Sequence, residues 1–195
     1  MFTGIIRDVG LIKIIDFKKN NNVKIKTDFK DLALGESISC SGVCLTVFKK
    51  EKNAFWVNVS PETQKKTNFK KLIIGSKINL EKSLKLGDEL NGHLVFGHVD
   101  NISKVVKIKK SNDSYIVYFK TKNNISDFLV PKCSISVDGV SLTVNEVIKK
   151  QFSVNIIPYT WAHTSFSKLK VGDIVNTEVD MLARYAFKAI GVMKK

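Results

Sequence analysis

Short runs rich in Ile, Val, Phe and Thr recur along the chain between Gly, Asn and Lys punctuation. They lie at residues 9–15, 23–27, 36–40, 43–48, 55–59 and 77–81, and again at 102–108, 115–120, 133–137, 140–148, 152–157 and 174–179. Six short strands per half at this spacing predict an all-β fold, an antiparallel sandwich or barrel in each half. Ser41-Gly42 and Asp138-Gly139 fall where a tight hairpin must reverse. Asp-Gly is a strong turn signal because both central residues of a type I′ turn need positive φ. Short helices are expected over 28–34 and 126–130, and after Thr63 and Thr160. From 181 to 193 the pattern turns helical: Leu182, Ala186, Ala189 and Met193 follow the 4-3-4 spacing of a coiled-coil seam. Tyr185, Phe187 and Ile190 add further apolar surface, so this helix either packs on the barrels or assembles subunits.

The two sets of strands belong to one repeated unit. Gly35-Glu-Ser-Ile-Ser-Cys-Ser-Gly-Val-Cys-Leu-Thr-Val47 returns as Lys132-Cys-Ser-Ile-Ser-Val-Asp-Gly-Val-Ser-Leu-Thr-Val144. Gly42 to Gly139, Thr63 to Thr160 and Gly75 to Gly172 share an offset of 97 residues. That period is far longer than a solenoid repeat and matches one small domain. The junction lies near 82–96, which divides the chain into a first barrel at 1–94, a second at 95–180 and a terminal helix at 181–195. Only the helix has no twin. A duplicated domain can offer two near-identical pockets, which suits a protein that handles two copies of one molecule.

Composition narrows the setting. With 44% hydrophobic and 26% charged residues, the chain reads as an ordinary globular protein. No apolar run approaches the roughly 20 residues that span a bilayer, and the acid at Asp8 follows too short an apolar start for a secretory leader. Cys40, Cys44 and Cys133 are odd in number and lack CxxC spacing, so neither a disulfide scaffold nor a zinc ribbon is expected, and the cytoplasm is the simplest compartment. The net charge of +14 comes almost wholly from lysine, Arg7 and Arg184 being the only arginines. The lysines are scattered through loops rather than clustered with aromatics, which reads as a solvated surface and not as a nucleic-acid face.

The repeated signatures are Gly4-Ile5-Ile6 with Gly97-His98-Val99, Cys44-Leu45-Thr46 with Ser141-Leu142-Thr143, and Pro61-Glu62-Thr63 with Pro158-Tyr159-Thr160. Glycines let a flat ligand lie close to backbone groups that read its edge, and threonines place a hydroxyl beside it. The same residues also serve turns and strands that both halves need because they share a fold. More informative are the differences: Cys44 against Ser141, Ser41 against Asp138, Ile5 against His98. Two pockets of one shape and different chemistry suit one molecule in two roles. Each residue also has a plainer reading: a strand Cys as a small hydrophobe, Asp138 as a turn former, Asp180 as the N-cap of the helix, Trp56 and Trp161 as packing.

Met1-Phe-Thr-Gly-Ile-Ile, Gly42-Val-Cys-Leu-Thr-Val, Gly92-His-Leu-Val-Phe-Gly-His-Val-Asp100, Asp138-Gly-Val-Ser-Leu-Thr-Val and Leu182-Ala-Arg-Tyr together resemble the riboflavin synthase family over essentially the whole chain. The resemblance implies tandem six-stranded Greek-key barrels, a C-terminal helix and a homotrimer. It implies dismutation of two 6,7-dimethyl-8-ribityllumazine molecules per active site, the final step of riboflavin biosynthesis. A four-carbon unit passes between them to give riboflavin and 5-amino-6-ribitylaminouracil, with no cofactor, metal, nucleic acid or membrane involved. By the same resemblance, Gly4, Ile5, Ile6, Cys44, Leu45, Thr46 and the run Asn58, Val59, Ser60, Pro61, Glu62, Thr63 bind one lumazine in the first barrel. Gly97, His98, Val99, Lys132, Ser141, Leu142, Thr143 and the run Asn155, Ile156, Ile157, Pro158, Tyr159, Thr160 bind the other in the second. Cys44, His98, Ser141, Thr143 and Asp180 match catalytic positions, with Phe2 near the reacting centre. One departure is Trp161-Ala162-His163, where the family more usually has Leu-Glu-His. The alternative is a fluorophore protein of the same fold that holds a lumazine or flavin without turning it over. Such relatives carry a degenerate motif in one half, whereas both halves here keep Leu-Thr-Val and Pro-x-Thr. A basic barrel that binds single-stranded nucleic acid would need exposed aromatic platforms, for which the pattern gives no support.

Overall fold

The computed structural model describes residues 1–122 and 124–193. Alternation builds the first barrel from β1 (Asp8–Asp16), β2 (Asn22–Lys26), β3 (Ser37–Cys40), β4 (Val43–Glu51), β5 (Ala54–Asn58) and β6 (Lys77–Lys82). Val23, Ile25, Ile38, Leu45, Val47, Phe55, Val57 and Leu80 point inward and form one core. The strands close in the order β1-β2-β5-β4-β3-β6. The second barrel uses β7 (Asn101–Ser111), β8 (Ser114–Thr121), β9 (Ser134–Val137), β10 (Val140–Ile148), β11 (Gln151–Ile156) and β12 (Ile174–Val179). Its closed order β10-β11-β8-β7-β12-β9 gives each strand the same neighbours as its twin, all antiparallel. Bulges recur at matching places, between Val47 and Lys49 and between Val144 and Glu146. The tandem Greek-key barrels expected from the sequence are present.

Each barrel is closed at one end by a short helix and a 3-10 turn. α1 (Pro61–Lys66) and α2 (Pro158–Ala162) both start on a proline, whose missing N–H falls where a helix leaves donors unpaired. Phe69 and Phe166, on the turns that follow, have no exposed surface and sit in the two cores. Burying such a ring is worth about 1.5–3 kcal/mol. These helices begin at the prolines, three residues before Thr63 would place them on the sequence pattern. Segment 28–34 is not helical. Asp28 N–H donates to Asp8 Oδ2 at 2.8 Å and Ala33 N–H to Glu36 Oε2 at 2.8 Å, while Leu32 is buried in the core, so the segment is held from outside itself. Its twin forms a 3-10 turn at Asn124–Phe128.

The barrels meet at the two predicted hairpins. Ser41 and Gly42 have φ of 46° and 78°, Asp138 and Gly139 have 44° and 80°, as a type I′ turn requires. A Cβ on Gly42 would stand 2.8 Å from Gly139 N, and one on Gly139 would stand 2.7 Å from Gly42 N. Around this dyad, Asn79 Nδ2 donates to the Asp138 carbonyl at 2.9 Å and Asn176 Nδ2 to the Ser41 carbonyl at 2.8 Å. Reciprocal bonds of this kind, between buried groups, fix one barrel against the other. α3 (Met181–Met193) follows β12, with Asp180 Oδ1 accepting from Leu182 N–H at 2.9 Å as its cap. Arg184 pairs with Asp100, and Phe187 meets Phe128 at a ring separation of 4.8 Å. Otherwise Leu182, Tyr185, Phe187 and Ile190 are more than half exposed. The Met193 side chain lies outside the described residues.

Candidate active site

Strand parity sets the chemistry. In β4, Val43, Leu45 and Val47 face the core, so Cys44 and Thr46 face outward; in β10, Val140, Leu142 and Val144 face in, and Ser141 and Thr143 out. Leu45, Leu142, Val59 and Ile156 are buried core residues, so of these predicted contacts only backbone can reach a ligand. Beside Cys44 and Thr46 lies an open cavity of about 570 Å³, completed by Asn20, Asn22, Phe48 and Asn58. Asn58 Nδ2 donates to the Asn20 carbonyl at 2.8 Å and to Asn22 Oδ1 at 3.0 Å.

The glycine segments cross over. Gly4 does not sit against Cys44; its carbonyl accepts from Ser141 N–H at 2.8 Å, and a Cβ on it would stand 2.6 Å from Ser141 Cβ. Gly97 does the reverse, accepting from Cys44 N–H at 2.9 Å with a Cβ position 2.6 Å from Cys44 Cβ. Both have φ of 76°, which glycine adopts without strain. Gly4 thus lies against the Ser141 strand and Gly97 against the Cys44 strand, so these contacts run across the halves, where the sequence reading grouped the same segments within each half. Ile6 packs against the second core and Val99 against the first, in keeping with the exchange.

Two buried carboxylates that sequence reasoning missed hold these segments. Glu81 Oε1 accepts from Thr3 N–H at 2.7 Å and Thr3 Oγ1 at 2.6 Å, and its Oε2 accepts from Gly4 N–H at 2.9 Å. Glu178 Oε1 accepts from Phe96 N–H at 2.8 Å and its Oε2 from Gly97 N–H at 2.9 Å. Burial pushes both carboxyls above the ordinary range, against the pull of those amides. The sequence carried a signal: an acid at the same 97-residue offset in two strands of apolar character.

His93 was also missed. It is buried, its Nδ1 stands 2.7 Å from Ser141 Oγ, and its backbone N–H donates to the Thr3 carbonyl at 3.1 Å. Burial lowers its pKa and the Asp180 carboxylate raises it, the first effect winning, so the site favours the neutral ring. A neutral ring at that distance either takes the Ser141 proton in a hydrogen bond or gives one to Oγ. Among the described residues Cys44 has no side-chain partner of this kind. His98 is exposed, tilted against Phe96 at 6.2 Å between ring centroids.

The remaining predicted positions divide by what they touch. Ser60 caps α1 through Thr63 N–H at 3.1 Å and meets Thr63 Oγ1 at 2.9 Å; Glu62 pairs with Lys66 at 2.8 Å on the surface. Lys132 is exposed with φ of 75°, its N–H bonded to the Val144 carbonyl. Asn155, Ile157 and Tyr159 are exposed, Tyr159 stacking on His163 at 4.1 Å, and the Thr160 carbonyl accepts from Thr164 Oγ1 at 2.7 Å. Among the described residues no group of three or more His, Cys, Asp or Glu could hold a metal ion.

Two closed barrels of one topology, each with a strand whose outward face is walled by the other half's glycine segment, define a duplicated tandem-barrel protein. The lumazine binding domain model matches the chain twice, over residues 3–83 and 96–180. The riboflavin synthase of Brucella abortus (strain 2308) is 42% identical over 95% of this chain and 96% of its own length. That of Bacillus subtilis (strain 168) is 37% identical over 96% and 89% respectively. The chain belongs to the riboflavin synthase family. The crystal structure of LumP complexed with riboflavin superposes with a TM-score of 0.83 at 24% identity, covering 92% of this chain and 99% of LumP, and supports the fold.

Proposed function

We propose that the protein converts two molecules of 6,7-dimethyl-8-ribityllumazine into riboflavin and 5-amino-6-ribitylaminouracil by transfer of a four-carbon unit, without cofactor or metal. The observation that carries the reading is a pair of outward strands equal in backbone and unequal in chemistry, one presenting Cys44 beside an open cavity and the other presenting the Ser141–His93 pair. The C7 methyl of a lumazine is acidic because its carbanion delocalises into the pteridine. A modest base, His93 or His98, then suffices to take that proton, and Ser141 or Cys44 serves as the nucleophile that adds at C7 of the acceptor. Holding two planar molecules at bond-forming distance supplies the larger part, effective molarities reaching about 10⁵ M or more.

In the same proposal the working site lies between subunits of a homotrimer in the cytoplasm. The first barrel of one chain pairs with the second barrel of its neighbour. The exposed Leu182, Tyr185 and Ile190 on α3 supply the assembly surface, and the three unpaired cysteines fit a reducing compartment. Mixing the protein with the ribityllumazine and following flavin absorbance tests the activity. Tight binding with no flavin would establish the non-catalytic fluorophore protein instead. Removing residues 181–195 is expected to abolish both trimer mass and turnover; a truncated trimer, or a fully active monomer, would overturn the assembly.

A further inference from the structure

We infer that the two barrels are wired crosswise: the buried carboxylate of each barrel positions the wall of the other barrel's pocket. Glu81 belongs to β6 of the first barrel, yet the segment it grips, Thr3-Gly4, delivers its carbonyl to Ser141 of the second. Glu178 belongs to β12 of the second barrel, yet Phe96-Gly97, which it grips, delivers its carbonyl to Cys44 of the first. The two arrangements match within 0.1 Å in both amide-to-carboxylate bonds. Coincidence does not reproduce such geometry across an offset in the chain, and a carboxylate is the one common side chain with two acceptors and no donor for two adjacent amides.

Both acids are buried, at 4% and 3% exposure, on the outward faces of β6 and β12, in register with Cys44 across Ser39 and with Ser141 across Ser136. They are positioning residues that act through glycine. The dependence follows from close approach: with Cβ positions 2.6 Å from Ser141 and Cys44, each glycine leaves no slack between segment and strand, so a shift of the segment moves the wall. Loss of one carboxylate oxygen strands a buried N–H and frees that segment.

The inference rests on reading the Ser141 and Cys44 strands as the ligand pockets, and two measurements keep the two apart. Amide hydrogen exchange tests the wiring without ligand. Glu81→Gln, whose amide offers one acceptor where two are needed, is expected to speed exchange at Ser141 N–H about tenfold and leave Cys44 N–H unchanged; Glu178→Gln does the opposite. Acceleration confined to the variant's own barrel, or equal at both sites, would overturn the inference. Riboflavin titration then reads the pockets. With the first pocket filled by Cys44→Trp, Glu81→Gln is expected to weaken binding about tenfold and Glu178→Gln less than twofold. With Ser141→Trp the order reverses. Equal weakening in both backgrounds marks a merely structural role and refutes the positioning role. A wild-type chain that binds no riboflavin, with crossed exchange intact, refutes the pocket reading and leaves the wiring standing.

Discussion

The rim of the first barrel is held by amides and that of the second by rings. At equivalent places, Gln64 Nε2 donates to Asn21 Oδ1 at 2.9 Å, while Trp161 stacks on Tyr115 at 3.8 Å. The departure at Trp161 is thus matched by a second change on the facing strand, and the pair behaves as one aromatic unit packed against the second core. The same split runs inward, where Cys44 answers the Ser141–His93 pair and Ser41 answers buried Asp138. Duplication preserved the backbone that presents the pockets, and divergence acted on side chains whose exchange leaves that backbone in place.

The largest expected effects fall on what the halves share. Gly42→Ala or Gly139→Ala forces a Cβ against the opposite turn at positive φ and is expected to remove about 3 kcal/mol or more from the urea unfolding free energy. Gly35→Ala and Gly172→Ala, with positive φ but nothing within 4 Å, are the controls at about 1 kcal/mol. Equal losses at all four positions would mean that the dyad contact is slack.

Next comes the chemical difference. Ser141→Ala and His93→Ala are each expected to lower turnover about 100-fold, and the double variant little further, because the two act as one unit. Cys44→Ala is expected to lower it less. Three equal losses in a lumazine assay would show that the pockets play equivalent parts.

A third comparison is Ser41 with Asp138. Burial pushes the Asp138 carboxyl up to about 7, against hydrogen bonds from Asn176 N–H and Asn68 Nδ2 that pull it down, and the Asp173 carboxylate adds to the rise. Lys71, Lys77 and Lys168 line the same inter-barrel cleft. A folded carboxyl that keeps its proton to higher pH favours the fold fully below its unfolded value of 3.8, and that contribution is lost as pH rises through about 7. Asp138→Asn keeps an acceptor without the charge. It is expected to flatten the fall in thermal midpoint between pH about 4 and 7, whereas Ser41→Ala leaves the slope as in wild type. Parallel slopes in wild type and Asp138→Asn would assign the pH dependence to Glu81 and Glu178, whose carboxyls shift the same way.

The smallest effect belongs to the rims. Trp161→Gln with Tyr115→Asn rebuilds the first rim on the second barrel and is expected to cost about 1 kcal/mol of stability. If ligand affinity at the second pocket does not change with it, the aromatic pair is packing alone.

Much of this molecule was legible without coordinates. The 97-residue echo established two repeated domains, the alternation placed twelve strands within a few residues, and positive-φ chemistry identified Ser41-Gly42 and Asp138-Gly139 as the turns. The change of period marked 181–193 as a helix. Those features depend on near neighbours in the chain, and local sterics and periodic burial decide them. The crossing of Gly4 to Ser141 and of Gly97 to Cys44 could not be read in the same way. When two halves carry the same motif, pairing within a half and pairing across halves satisfy the same hydrogen bonds, so nothing local separates them. Only the packing of one barrel on the other makes the choice, through the Gly42–Gly139 contact and the asparagines about it. Glu81, Glu178 and His93 became visible for the same reason: their side-chain partners lie 48 to 82 residues away, and burial beside those partners, not any local pattern, gives them their roles.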